Sequence, residues 1–296
     1  MKRDDILWKV ILEDVFDDFL RFFIPDVDRL LDLSRGVAYL DKELEQLFPP
    51  GGNSYKPRYV DKLAKVHTRR GAEEWILVHI EVQGYRDNQF AKRMFQYYTR
   101  IWDKYERPVV AFAIFTDSSR GFHPNVFEQS FLGTSLCYKF NTYKIIEQSE
   151  VALTKNPNPF AVVALTVKTA LKGKKISSQE LYNLKISIAR RLVAIKMNKV
   201  KRGKMMDFLR NYVCFENQEM SDNFEKEIAV ISPNKESMGI QEFLLTRAKT
   251  EGAKEHVVEL IKDQLLEKQL SPEQIARIFK KPVEFVLSIK KDLEGE

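Results

Sequence analysis

A mixed α/β core followed by a helical C-terminal region is the fold class this sequence predicts. Three observations predict it. Two strand-like runs, RYVDKLAKV (58–66) and WILVHIEVQ (75–83), sit close enough to pair. A third run, VVAFAIFT (109–116), is apolar on both faces, as in a central strand covered by helices. From NPNPF (156–160) onward the apolar periodicity turns helical.

Each element follows in order. In DDILWKVILEDVFDDFLRFFIP, the residues Ile6, Leu7, Val10, Ile11, Val15 and Phe19 recur at helical spacing, the polar face is acidic, and Pro25 closes the helix. PPGGNSYKP (49–57) is a turn or loop cluster. The two strands are joined by HTRRGAEE around Gly71, which allows a hairpin. DNQFAKRMFQYYTRIWDKY (87–105) is an amphipathic helix, with Phe90, Met94, Tyr97, Ile101 and Tyr105 on one face and Arg93, Gln96 and Arg100 on the other. TYKIIEQ (142–148) reads as a further strand, completing a core over 1–150: a mixed central sheet flanked by helices.

Residues 151–250 form a basic helical region, with helices in VVALTVKTALKG, SQELYNLKISIARRLVAIKM and GKMMDFLRNYV, then acidic and polar material, then a further helical stretch from about Gln241. Residues 251–296 form a helical tail. There Ser271, Pro272 and Gln274 supply an N-cap, a first-turn proline and a capping-box partner, and Pro282 can open another helix. The pair resembles a helix-turn-helix, although a plain packed hairpin satisfies the same pattern.

Composition narrows the class. A hydrophobic fraction of 44%, with 20 Phe, is enough for a buried core and argues against global disorder. The apolar runs are too short to span a bilayer, and acids interrupt the first ten residues where an export signal needs an apolar stretch, so a cytoplasmic protein without a membrane partner is expected. Cys137 and Cys214 are expected to be buried free thiols. The net charge of +6 is uneven: residues 1–50 hold twelve acids against seven Lys/Arg, whereas 168–210 holds thirteen Lys/Arg and two acids. A basic block of this kind, including Lys174, Lys175, Arg190 and Arg191, suits a polyanion; a solvated helical face is the plainer alternative. The oligomeric state is left open, a homodimer included.

The chemistry concentrates at the paired strands. Asp61 is disfavoured within a strand-like run, and Glu81 and Gln83, two residues apart, share a face. Pairing of the strands can bring Asp61 and Glu81 onto one face. Two carboxylates without His or Cys partners suit a hard divalent cation, Mg²⁺ or Mn²⁺, and the Gln83 amide can orient a water or a non-bridging oxygen. The alternatives are an edge-strand charge and a solvated strand end. His67 and His79 flank the strands without metal-type spacing, and His79 shares the face of Glu81.

Asp61 followed by Glu81-Val82-Gln83 resembles the PD-(D/E)XK phosphodiesterase superfamily, with Gln in the position usually held by Lys. More narrowly, the order of features is similar to the Rpn-type recombination-promoting nucleases, also described as transposases. Those features are the first helix, YVDKL, IEVQ, and a helix bearing Arg93, Met94, Tyr97 and Tyr98. The likeness covers roughly residues 1–150 and implies a PD-(D/E)XK nuclease-like core acting on DNA with Mg²⁺ or Mn²⁺. It implies metal ligands at Asp61, Glu81 and the Val82 carbonyl, with Gln83 replacing the lysine. It further implies an acid from the first helix, Glu13 with Asp5 and Asp14 as rivals, and phosphate contacts from Arg93 and Tyr98. The departure at Gln83 leaves a second expectation beside the endonuclease: a catalytically inactive nucleic-acid-binding or interaction protein that keeps the nuclease fold.

Overall fold

The computed structural model describes residues 3–41, 61–69, 75–173 and 175–231, with 261, 265, 271–278, 283, 286, 287 and 290 beyond them; the side chains of Asp61, His79 and Glu81 are outside this set. The apolar N-terminal pattern forms two helices instead of one: α1 (Arg3–Asp14) and α2 (Phe16–Phe23), separated at Val15, whose ψ of 23° leaves the helical region. The break lets each helix meet a different partner while Trp8, Ile11, Phe16 and Phe19 all stay buried. A short helix α3 (Val27–Leu30), a 3₁₀ turn and the two-residue strand β1 (Ala38–Tyr39) follow.

The strands expected at 58–66 and 75–83 are β2 (Asp61–His67) and β3 (Trp75–Gln83), with 58–60 outside the described residues. The amphipathic helix is α4 (Phe90–Tyr105), and the doubly apolar run is β4 (Val109–Phe115). Together with β7 (Asn141–Lys144) they make a five-stranded sheet in the order β1-β2-β3-β4-β7. The β1/β2 and β2/β3 pairs are antiparallel; β3/β4 and β4/β7 are parallel. The run expected as strand 142–148 is strand only to Lys144 and then coils into a 3₁₀ turn.

Strand alternation divides the sheet into two buried faces. Leu63, Ala111, Ala113 and Phe115 pack beneath Phe90, Met94, Tyr97 and Ile101 of α4. The other face meets the N-terminal helices, where the Phe19 and Phe112 rings are 5.1 Å apart. A second, two-stranded sheet was not legible in the sequence: β5 (Val126–Phe131) and β6 (Thr134–Lys139), joined by the tight turn Leu132-Gly133.

A short helix the periodicity did not signal, α5 (Glu150–Lys155), comes first; α6 (Pro159–Gly173), α7 (Ser178–Ala194) and α8 (Lys199–Tyr212) then follow as it predicts. Ser149, Ser177 and Asn198 cap α5, α7 and α8 through their side-chain oxygens. The polar stretch after 216 also folds, as α9 (Gln218–Ile231), burying Phe224 and Ile228. α6 is buried around its whole circumference from Phe160 to Thr169, a stretch apolar but for Thr166, Lys168 and Thr169. Its Phe160 ring meets Phe19 at 5.2 Å, while α8 brings Phe208 to Trp8 at 6.0 Å.

Residues Met1–Ser237 therefore form one compact unit, into which the helices after residue 150 are packed; Met238–Glu296 forms another. In the second unit α10 (Pro272–Ile278) starts at the expected proline, and Ile261, Ile275, Ala276 and Val286 share a small buried cluster. The stretch from Gln241 to 260 lies outside the described residues. Cys137 and Cys214 are both exposed, correcting the expectation of burial: Cys137 lies on the ribbon β5–β6, and Cys214 follows the end of α8. Among the described residues no helix is long and apolar enough to cross a membrane.

Candidate functional site

β2 and β3 bring the two expected carboxylate positions together. In their antiparallel register Asp61 stands directly opposite Glu81, and Leu63 opposite His79. Directly opposed residues share a face with Cβ atoms about 4.5–5.5 Å apart. Leu63 packs beneath α4, so alternation assigns positions 61, 81 and 83 to the α4 face. Position 83 is the last of β3 and pairs with Phe115 at the end of β4, which places all three at one end of the sheet.

Gln83 is fully buried. Its Nε2 donates to the Tyr85 carbonyl at 2.6 Å, and its Oε1 accepts from Arg93 Nη2 at 2.8 Å. Arg93 also ion-pairs with Asp87. The Gln83 carbonyl accepts the Thr116 N–H at 2.9 Å, which directs it toward β4. Successive carbonyls along a strand point to opposite sides, so that of Val82 is directed toward β2, the side of Asp61. Gln83 thus ties the ends of β3 and β4 to the start of α4, keeping one amide N–H and one lone pair for anything further. Arg93, expected on phosphate, is turned inward to this knot. Tyr98 packs its ring on Tyr138 of β6 with centroids 4.8 Å apart.

Glu13, the acid expected from the first helix, is brought to the opposite face. Its partner is Lys62, completely buried, whose ammonium also meets Asp41 Oδ2 at 2.5 Å and lies 4.6 Å above the Tyr39 ring. Asp41 in turn accepts the Leu63 N–H at 3.2 Å. The reason is geometric: α1 lies over the even-numbered residues of β2, so its acid reaches position 62 and not position 61. Asp14 pairs with Lys204, and burial raises its carboxyl above the ordinary 3.8 despite that partner. The Asp5 side chain lies outside the described residues.

The basic block is largely used inside the molecule. Arg190 pairs with Glu227 at 2.7 Å, and Arg191 donates to the Asn156 carbonyl. Lys201 meets Asp18 at 2.5 Å, and Lys185 is buried beneath the Phe215 and Phe224 rings. Lys168 reaches the Ile146 carbonyl at 2.8 Å, and burial depresses its ammonium below the usual lysine range. Lys175 is exposed, and Lys174 lies outside the described residues. The acidic N-terminus and the basic block are complementary surfaces, which their opposite charge excess could have signalled.

Two buried clusters went unread in the sequence. One is Lys62 with Asp41; the other is Lys144, whose ammonium meets Asp117 Oδ2 at 2.6 Å beyond the end of β4. A lysine inside a strand-like run looks like an exposed strand residue, so neither had a distinguishing pattern. Among the described residues no three His, Cys, Asp or Glu side chains converge to hold a metal ion.

Residues 4–111 match the family model described as "Putative transposase, YhgA-like". The matched stretch runs from α1 into β4 and contains Glu13, Lys62 and the opposed positions 61 and 81. The hairpin β5–β6 and the helices from α5 onward lie beyond it. No curated protein and no solved structure matches the chain.

Proposed function

We propose that this protein is a metal-dependent DNA endonuclease with a PD-(D/E)XK-like core, serving mobile-element or recombination chemistry. The observation that carries the reading is the register that sets Asp61 directly opposite Glu81. Like charges directly opposed across strands destabilise a sheet, and a dication held between them removes that penalty. The donor set fits Mg²⁺ or Mn²⁺: two carboxylate positions within reach of one ion, with the Val82 carbonyl on the same side and no soft ligand required. Bound there, the ion would supply Lewis-acid stabilisation of charge developing on a phosphodiester.

The chain's own residues have distinct tasks in this reading. Asp61 and Glu81 hold the cation. Gln83 fixes the end of β3, and through Arg93 it sets where α4 begins relative to the carboxylates. The exposed Lys175, Lys196 and Lys199 supply phosphate contacts that position DNA without reading its sequence. The match of residues 4–111 to the YhgA-like transposase model supports nucleic acid as the substrate class.

A second reading, a nucleic-acid-binding protein without turnover, is favoured by one observation: the residue in the usual lysine position is a buried amide already engaged at both ends. Supercoiled plasmid incubated with the protein and Mg²⁺ or Mn²⁺ separates the two. Nicking by the wild type, lost by at least about 100-fold in Asp61→Ala and in Glu81→Ala, is expected for metal ligands. Nicking that survives both substitutions rules out the site. Binding without nicking under either metal establishes the second reading.

A further inference from the structure

The ribbon β5–β6 combines features that packing does not explain. Its inner half is anchored: Phe127 stacks on Phe95 at 5.2 Å, and the tilted Tyr138 ring packs on Tyr98 at 4.8 Å. Its outer half, 128–131 with 134–135, is exposed on both faces, so the ribbon projects from the body. The projecting tip is apolar: Phe131 is 71% exposed and Leu132 88% exposed. Leu132 also sits at φ 45°, a left-handed conformation that Asn, Asp or Gly adopts far more readily. Two unfavourable choices thus coincide at one residue. Such outliers are retained where the side chain is needed.

We propose that this ribbon enters a groove of duplex DNA and that Phe131 and Leu132 wedge into a base step. The inference rests on DNA being the substrate, and it adds an element outside the segment that the transposase family covers. Size selects the occupant. Two apolar side chains offer far less than the roughly 800 Å² per partner of a stable protein interface. A membrane-docking element needs a broader apolar face and basic flanks, whereas the neighbours here are Gln129, Ser130, Thr134 and Ser135. A base-step wedge needs only one or two apolar side chains, and a two-stranded ribbon is one of the shapes a DNA groove admits. The neutral polar residues beside the tip can hydrogen-bond to base edges, and the one acid of the outer half, Glu128, sits farthest from the tip. The Ser130 and Ser135 hydroxyls are already paired across the ribbon at 2.6 Å, which keeps it two-stranded out to the tip.

The test uses the full chain, duplexes carrying 2-aminopurine beside a TA step, and Ca²⁺ in place of Mg²⁺ so that binding is read without cleavage. Wild type should raise the 2-aminopurine fluorescence on binding. The double variant Phe131→Ser/Leu132→Asn should abolish that rise and weaken binding about tenfold, the loss of roughly one stacking contact. Leu132→Asn alone, which relieves the backbone, should unfold at the same temperature as wild type or higher, so loss of unstacking cannot be ascribed to misfolding. DNA binding by wild type with no fluorescence rise overturns the wedge alone, and plasmid nicking with Mg²⁺ then decides whether the endonuclease reading stands. An unchanged rise in the double variant also overturns it. Absence of both binding and nicking overturns the two together. A dimer in solution that the double variant converts to monomer, with unstacking unaltered, assigns the tip to a second copy of the chain instead.

Discussion

Lys62 and Arg21 each carry one positive charge opposite carboxylates, yet they belong to different regimes. The Lys62 ammonium is wholly enclosed by β1, β2 and α1, with Glu13, Asp41 and the Tyr39 ring around it. Arg21 holds Asp28 bidentately on an exposed helix surface, Nε at 2.9 Å and Nη2 at 2.9 Å, with the two side chains 40% and 57% exposed. Water competes for both members of the second pair, whereas in the first it reaches the edges of the carboxylates and not the ammonium. The difference teaches that charge in this molecule serves two ends: interior ions fix which helix lies on which face of the sheet, and exterior ions add little to the fold. It also explains how so much of the basic block is spent. Lys201 and Lys204, half-way between the regimes, fasten α8 to the acidic ends of α2 and α1.

The comparison can be broken at its buried pole. Lys62→Met leaves two carboxylates facing an apolar seam; a loss of about 3 kcal/mol of stability is expected, measured by urea denaturation with unchanged m-value. A change under about 1 kcal/mol would mean that the interior pairing contributes no more than a surface bridge.

An intermediate test uses pH. Burial raises the Asp14 carboxyl in the folded protein above 3.8. The folded state therefore binds this proton more tightly than the unfolded state. Its stabilising contribution is full below about 3.8 and is lost as pH rises through the folded value. Asp14→Asn removes that titration. The stability of wild type relative to the variant should fall as pH climbs from about 4 toward 7, read by denaturation at several pH values. A difference that is flat with pH would place Asp14 in solvent.

At the exposed pole, Arg21→Ala should shift stability by no more than about 1 kcal/mol, and 1 M salt should erase most of the shift. The same variant exposes the asymmetry at Asp28. The Arg21 guanidinium holds that carboxyl below its usual value, so any contribution of the pair disappears as the solution is acidified through that lowered value.

How much of this was legible in sequence follows from which signals are local. WILVHIEVQ is β3 residue for residue, and VVAFAIF is β4, because a buried strand between turn signals advertises itself in one window. Pairing of β2 with β3 was readable as well, since a short connection joins them, and with it the opposition of positions 61 and 81. The Lys62 cluster was not. Its three charges come from residues 13, 41 and 62, and nothing local reports that α1 crosses the even face of β2. The ribbon β5–β6 was missed for a different reason. Its outer half is solvated on both faces, so VFEQSFLGTSLCYK lacks the alternation that marks a half-buried strand, and only Gly133 hinted at the turn. The basic block was seen, but its destination was not: opposite charge runs 150 residues apart could equally have met DNA or each other.

The break at Val15 carries a consequence for how the chain is made. Because α1 and α2 turn toward separate partners, the N-terminal helices cannot finish burying their apolar faces until those partners exist. Trp8 Nε1 donates to the Tyr212 hydroxyl, 204 residues away in sequence. At a synthesis rate of about 5–20 residues per second, that interval is roughly 10–40 s. For that time Leu7, Trp8 and Ile11 wait for a helix that has not yet been translated.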